Sequence, residues 1–165
     1  MPHDVMPKPA TARFHLAQLN VATMRAPQDS PEMAEFTNAL DAINQLAEAS
    51  PGFVWRMQDE TGSAADIRLF DDETLVNMSV WEDRDSLFKY VYKSGHTHYL
   101  GRRKEWFEMP SAPHVVLWWV PAGHMPELEE AKERLLYLRE HGPTQHAFAF
   151  KKHFEPPVSA QPQIS

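Results

Sequence analysis

Two histidines, two adjacent arginines and an aromatic pair fall within the stretch Ser94 to Phe107, S-G-H-T-H-Y-L-G-R-R-K-E-W-F. The H-T-H pair invites a shared metal ion, yet residues two apart on a helix point about 200° from each other and cannot meet at one ion. A single imidazole is a different matter. The chain has no cysteine, and without a thiolate the usual proximal ligand to haem iron is histidine. On a continuous helix His96 shares a face with Tyr92, Tyr99, Leu100, Arg103 and Phe107, which would give a macrocycle an aromatic wall and an arginine for a propionate or a substrate carboxylate. The plainer alternative is a boundary histidine satisfied by hydrogen bonds, with Arg102 and Arg103 paired to Glu105 and Glu108 on a solvated face.

Outside this stretch the chemistry thins. His15 on the first predicted strand, Arg56 and Trp119 are second-tier pocket residues. His114, His124, His141 and His146 stand at element ends, where capping accounts for them; His141 complements the carboxyl end of a helix dipole. The tryptophans Trp55, Trp81, Trp106, Trp118 and Trp119 suit a flat ligand, though their commoner role is in a core or a dimer interface. The carboxylates show no acid–base pairing, and neither a glycine-rich phosphate loop nor a G-x-S-x-G elbow is present.

Composition narrows the classes further. A formal charge of -7 with no basic cluster larger than Arg102-Arg103-Lys104 gives no attraction to phosphate backbones, so nucleic acid is not expected. The absence of cysteine excludes disulfides, zinc–thiolate sites, iron–sulfur clusters and cysteine nucleophiles. The first residues lack the basic start and apolar core of a signal peptide, and no apolar run approaches the roughly 20 residues of a membrane span. A cytoplasmic protein is expected.

The elements that must position these residues are legible from periodicity and punctuation. Residues 1–12 and 156–165 read as disordered ends around a single domain at 13–155. Phe14 to Met24 is a strand with both faces covered. Ser30-Pro31-Glu32 opens a helix with serine as cap, Met33, Phe36, Leu40 and Ile43 recur at helical spacing, and Ser50-Pro51-Gly52 ends it. Extended pieces follow at 53–58, 67–70 and 75–81, then a helix from Glu82-Asp83-Arg84-Asp85 that carries Leu87, Phe88, Val91 and Tyr92 and that Gly95 would kink or split. H-V-V-L-W-W-V-P is a strand apolar on both faces. Leu128, Ala131, Leu135 and Leu138 mark a helix closed at His141-Gly142-Pro143, and Ala147 to Phe154 is a last strand. The order β-α-β-β-β-α-β-α-β has a ferredoxin-like β-α-β-β-α-β heart, an antiparallel sheet with helices on one face. The opposite face, bearing tryptophan, needs a cover, which a homodimer closing two sheets into a barrel provides.

Four blocks, Phe14 to Asn20, Ser94 to Phe107, Leu117 to Pro126 (L-W-W-V-P-A-G-H-M-P) and Ala131 to Thr144, together resemble an uncharacterised family, domain of unknown function 3291, in the dimeric α+β-barrel superfamily. The likeness covers about residues 13 to 155. It implies the fold more firmly than a reaction, since that superfamily holds antibiotic-biosynthesis-type monooxygenases, haem-degrading monooxygenases, chlorite dismutases and dye-decolorising peroxidases. A more distant similarity to spheroidene monooxygenase, with His, Arg and Trp-Phe on a helix, implies haem with His96 as ligand. The expected function is a monooxygenase-like oxidoreductase holding haem or an apolar aromatic ligand in a barrel-side pocket. The alternatives are a homodimer that binds a small molecule without turnover, and cofactor-independent oxygenation in a polar pocket around His15, Asn20 or Arg56.

Overall fold

The structure, a computed structural model, describes residues 14–94 and 101–157. Nearly all of both expected disordered ends, and His96, His98 and Tyr99, lie outside these residues. Strand β1 (Phe14–Thr23) is central, and from Leu16 to Leu19 four consecutive side chains are buried. Such a run belongs to a strand covered on both faces. β2 (Phe53–Arg56), β3 (Thr74–Trp81) and β4 (Val115–Pro121) complete a four-stranded sheet of order β2-β3-β1-β4, antiparallel at every pairing. Its register sets Leu16 opposite Trp81, Gln18 opposite Ser79 and Asn20 opposite Asn77.

Each half of the sheet is joined by a crossover helix. Pro31–Met33 forms a single 3-10 turn into α1 (Ala34–Ala49). Pro31 presets the first dihedral as expected. Ser30 does not cap: its hydroxyl donates to the Pro27 carbonyl at 2.6 Å and leaves the helix amides alone. α1 stops at Ser50, and Gly52 turns the chain with φ 85°, packed against Ser86 where a Cβ would collide. α2 (Arg84–Lys93) is capped by Asp83, whose carboxylate accepts from the Ser86 amide at 2.8 Å. The connections β1-α1-β2 and β3-α2-β4 each skip one strand. This is the ferredoxin-like α+β fold.

α1 and α2 lie on one face, where Ala47 and Leu87 join Leu16, Trp81, Leu117 and Phe148 in a core. The second face differs from expectation. α3 (Arg103–Trp106) is one turn, and α4 (Leu128–His141) crosses to the far side and buries Ala131, Leu135 and Leu138 against Ala17, Leu19, Val80 and Trp118. The 57–72 segment adds Ile67, Leu69 and Phe70 to the same cover. The tryptophan-bearing face that was expected to need a second copy is therefore covered from within the chain, and Val80 and Trp118 are fully buried.

Two expected strands do not form. Around Ile67–Phe70, the Arg68 side chain bonds to the carbonyls of Ala65, Ile67 and Asp72, so a guanidinium supplies locally what ladder pairing would have supplied. Within Ala147–Phe154 pairing is limited to one bridge, Leu117 with Phe148, because Ala149 donates to Lys152 at 3.3 Å and turns the chain away. Among the described residues no helix is long and apolar enough to cross a membrane.

Candidate functional site

Down one face of α1 run Phe36, Leu40, Ile43 and Ala47, a helical stripe that should bury itself against the sheet. In α1 only Ala47 is buried. The rest of the stripe looks across a cavity of about 500 Å³ between α1, α2 and the sheet. The helix is held over this space from its ends. Glu35 pairs with Arg102 at 2.9 Å and the Phe36 ring lies 5.4 Å from Trp106 and 5.0 Å from Phe107, while at the other end Glu48 pairs with Arg56 at 2.7 Å.

The cavity floor is polar. Gln18 donates through Nε2 to Asn77 Oδ1 at 2.7 Å and to Ser79 Oγ at 2.9 Å, and Trp81 donates through Nε1 to the same hydroxyl at 2.8 Å. These bonds lock the central side chains of β1 and β3. Asn20 is the exception: its Oδ1 is buried without a hydrogen-bond partner, a state that costs about 1–3 kcal/mol and that a ligand donor would relieve. The walls are aromatic. Tyr90 stacks on Trp81 at 5.0 Å and an interplanar angle of 27°, and burial pushes its phenol up to about 12, so it stays protonated at neutral pH.

Two arginines, a histidine and the exposed Lys151 also line the cavity. Arg56 is neutralised by Glu48 and also donates to the Gly62 carbonyl at 2.8 Å. Arg103 sits over the Phe107 ring at 5.7 Å, and burial lowers its pKa. His114 is held below the usual imidazole range by burial and then by the charges of Arg103 and Arg139, so it is neutral at pH 7. Among the described residues no three His, Cys, Asp or Glu side chains stand together as a metal site would require.

Of the residues singled out by sequence, Tyr92, Arg103, Phe107 and Arg56 line this one cavity. They do so from separate elements. The unbroken helix from Tyr92 to Phe107 does not form: α2 ends at Lys93, Ser94 is extended (φ -115°, ψ -175°), Arg103–Trp106 is a separate turn, and Phe107 is extended again (φ -127°, ψ 150°). The single helical face that was to hold a haem is therefore absent, and Phe107 is instead packed in a cluster with Met24, Met33 and Trp106. The described residues do not fit a haem on that plan; His96 and Tyr99 lie outside them.

His15 and Trp119 are not part of the cavity. His15 sits at an odd position of β1, on the face opposite the floor, with Nδ1 buried and unpartnered. Trp119 shares the floor's face but belongs to the edge strand, where it donates to the Phe154 carbonyl at 2.8 Å and packs near Phe148. His124 and His146 pair with Glu130 and Glu133 at 2.7 and 2.8 Å, a surface role in keeping with their place at element ends. His114 was assigned the same plain role, and the structure moves it to the cavity. Gln18, Asn77 and Ser79 were also missed as site residues; polar residues at alternate positions of two buried strands were the available signal.

A family model described as a domain of unknown function (DUF3291) matches residues 15–164. No curated protein matches the sequence. Among solved structures, Rv0793 from Mycobacterium tuberculosis superposes with a TM-score of 0.47 at 16% identity, over 68% of this chain and 99% of that one. A conserved protein from Methanosarcina mazei Go1 gives 0.48 at 11% identity, over 67% and 95%. SnoaB from Streptomyces nogalater, a cofactor-independent oxygenase, gives 0.42 at 17% identity, over 68% and 98%.

Proposed function

This chain belongs to that family of unknown function, and from that premise we propose that its cavity binds an apolar aromatic ligand and that the protein acts on it as a monooxygenase-like oxidoreductase. One observation carries the reading: the apolar stripe of α1 faces about 500 Å³ of open space instead of the sheet. Apolar surface left open in this way favours an apolar ligand by about 25 cal/mol for each Å² removed from water. The half-buried rings of Phe36 and Tyr90 on the cavity lining select a flat ring, and the unpaired Asn20 Oδ1 selects a ligand edge bearing a hydroxyl or N–H donor.

A hydroxylated arene in this place suits direct reaction with oxygen. Loss of the hydroxyl proton makes the ring electron-rich; the uncharged His114 imidazole lines the cavity as an acceptor for it, and the Arg103 charge that disfavours the imidazolium favours the phenolate. The reaction balances without another reductant. An arene carrying a hydroxyl and, para to it, a hydrogen reacts with O2 to give a quinone and water: one oxygen atom forms the new carbonyl, and the other leaves with the two hydrogens. The arene supplies the electrons.

The experiment is calorimetric titration of purified, metal-free protein with 1-naphthol, followed by oxygen-electrode measurement and detection of 1,4-naphthoquinone. Saturable binding with oxygen uptake matched to quinone is the expected result. Binding without uptake removes the oxidoreductase half and leaves a protein that holds the ligand unchanged; absence of binding removes the reading altogether.

A further inference from the structure

Arg102 and Arg103 are adjacent and meet opposite fates. Arg102 is held by Glu35 at 2.9 Å and Glu105 at 2.8 Å, and its guanidinium lies 4.8 Å over Trp106. Arg103 turns into the cavity and, among the described residues, has no carboxylate within salt-bridge distance. The chain carries 23 acidic residues against 16 basic ones, so carboxylates are in surplus and none is placed here. A guanidinium taken partly out of water without a counter-ion is costly unless something else supplies the charge.

The groups around it repeat the pattern. His114 also lines the cavity and feels the charges of both Arg103 and Arg139. Arg139 donates to the neutral Pro113 carbonyl at 2.8 Å and lies 5.8 Å over the Phe70 ring, and among the described residues it has no carboxylate partner. This end of the cavity is thus positive, whereas the Arg56 end is neutralised by Glu48.

We infer that the ligand is an aromatic acid, and that its carboxylate is received by Arg103 with His114 beside it. This rests on the cavity being the ligand site. A carboxylate matches the planar fork of a guanidinium in two parallel hydrogen bonds, and the neutral imidazole adds a donor without adding charge. The ligand then completes the ion pair that the protein leaves half built, with its ring under α1 and its charge at the start of β4.

The test is calorimetric titration of the full chain with 2-naphthoate and with 2-naphthamide, which keep one ring and one shape and differ in charge. Wild-type protein should bind the naphthoate about tenfold more tightly or better, the size of one charge-assisted pair. Arg103→Gln should bring the two affinities together with the naphthamide unchanged, and Arg103→Lys, which keeps the charge and loses the fork, should retain part of the preference. Equal binding of both probes by wild type overturns the inference and leaves the cavity reading standing. A preference that survives in Arg103→Gln overturns the assignment to Arg103. Binding of neither probe overturns the cavity reading and the inference together.

Discussion

Replacing Leu135 with alanine tests how the far face of the sheet is covered. Leu135 is fully buried on α4 against the β1 and β4 side chains that were expected to await a second copy. The substitution removes three carbons, worth about 2.4 kcal/mol at about 0.8 kcal/mol each. A residual void of about 40–60 Å³ at about 24 cal/mol per Å³ adds about 1 kcal/mol or slightly more, for a total near 3.5 kcal/mol. Against a typical stability of about 5–15 kcal/mol this is severe, and for a chain of this size it corresponds to a fall in Tm of about 7–14 °C. The neighbouring Leu136, 45% exposed on the same helix, is the internal control and should cost no more than about 0.5 kcal/mol on truncation. Urea unfolding followed by far-UV circular dichroism, run at two protein concentrations a factor of ten apart, reads both quantities. A Leu135→Ala midpoint that stays with wild type refutes the packing argument. A midpoint that climbs with concentration refutes the claim that the cover belongs to one chain.

Other expectations follow from local geometry. Asp83→Ala should destabilise by about 1 kcal/mol through loss of the α2 cap, whereas Ser30→Ala, whose hydroxyl serves only the Pro27 carbonyl, should cost less in the same denaturation assay. Gly52→Ala should cost about 1–2 kcal/mol from its positive φ alone and more from collision with Ser86, and Ser86→Gly in the same chain should recover only the second part. Burial pulls the Glu130 carboxyl up, but hydrogen bonds from His124 and Trp118 outweigh it and hold the group below its ordinary value of 4.5. A depressed carboxyl contributes its stability above that value and loses it as pH falls through the lower folded value, so Glu130→Gln should flatten the acid limb of a stability profile below about pH 4.5.

The elements that sequence displayed best are those whose signal is local. The α4 stripe at Leu128, Ala131, Leu135 and Leu138 and the stop at Gly142 both stand as read, with Gly142 at φ 75° donating to the Leu138 carbonyl. The two-faced apolar β4 was equally plain, and Trp118 and Leu117 do enter separate cores. What failed was continuity. Tyr92 to Phe107 carries helical spacing throughout, and Gly95 was the sequence's one marker of a break; the helix ends just before it, where Ser94 is extended and its hydroxyl donates back to the Tyr90 carbonyl. The cover of the far face failed for another reason: a helix late in the chain and an irregular loop reach it, and neither periodicity nor composition says across which face a segment returns.

The site itself was hidden in register. Along β1 the floor positions are Leu16, Gln18, Asn20 and Ala22, and along β3 they are Trp81, Ser79, Asn77 and Leu75; antiparallel pairing sets apolar against apolar at both ends and polar against polar twice in the middle. The apolar ends are sealed, Leu16 and Trp81 under Ala47 and Leu87, and Ala22 and Leu75 against Met24, Trp106 and Phe107. The polar middle cannot be sealed by Leu40 and Ile43, because an apolar helix gains nothing by desolvating amides and a hydroxyl that it cannot pair. α1 therefore bridges the gap from its two ends, and the space beneath it follows from that mismatch. On this face each strand alone shows two polar residues between apolar ones, which reads as ordinary alternation. Only when the strands are laid side by side do Gln18, Asn20, Asn77 and Ser79 become one polar window in an apolar sheet, with the unpaired Arg103 at its edge.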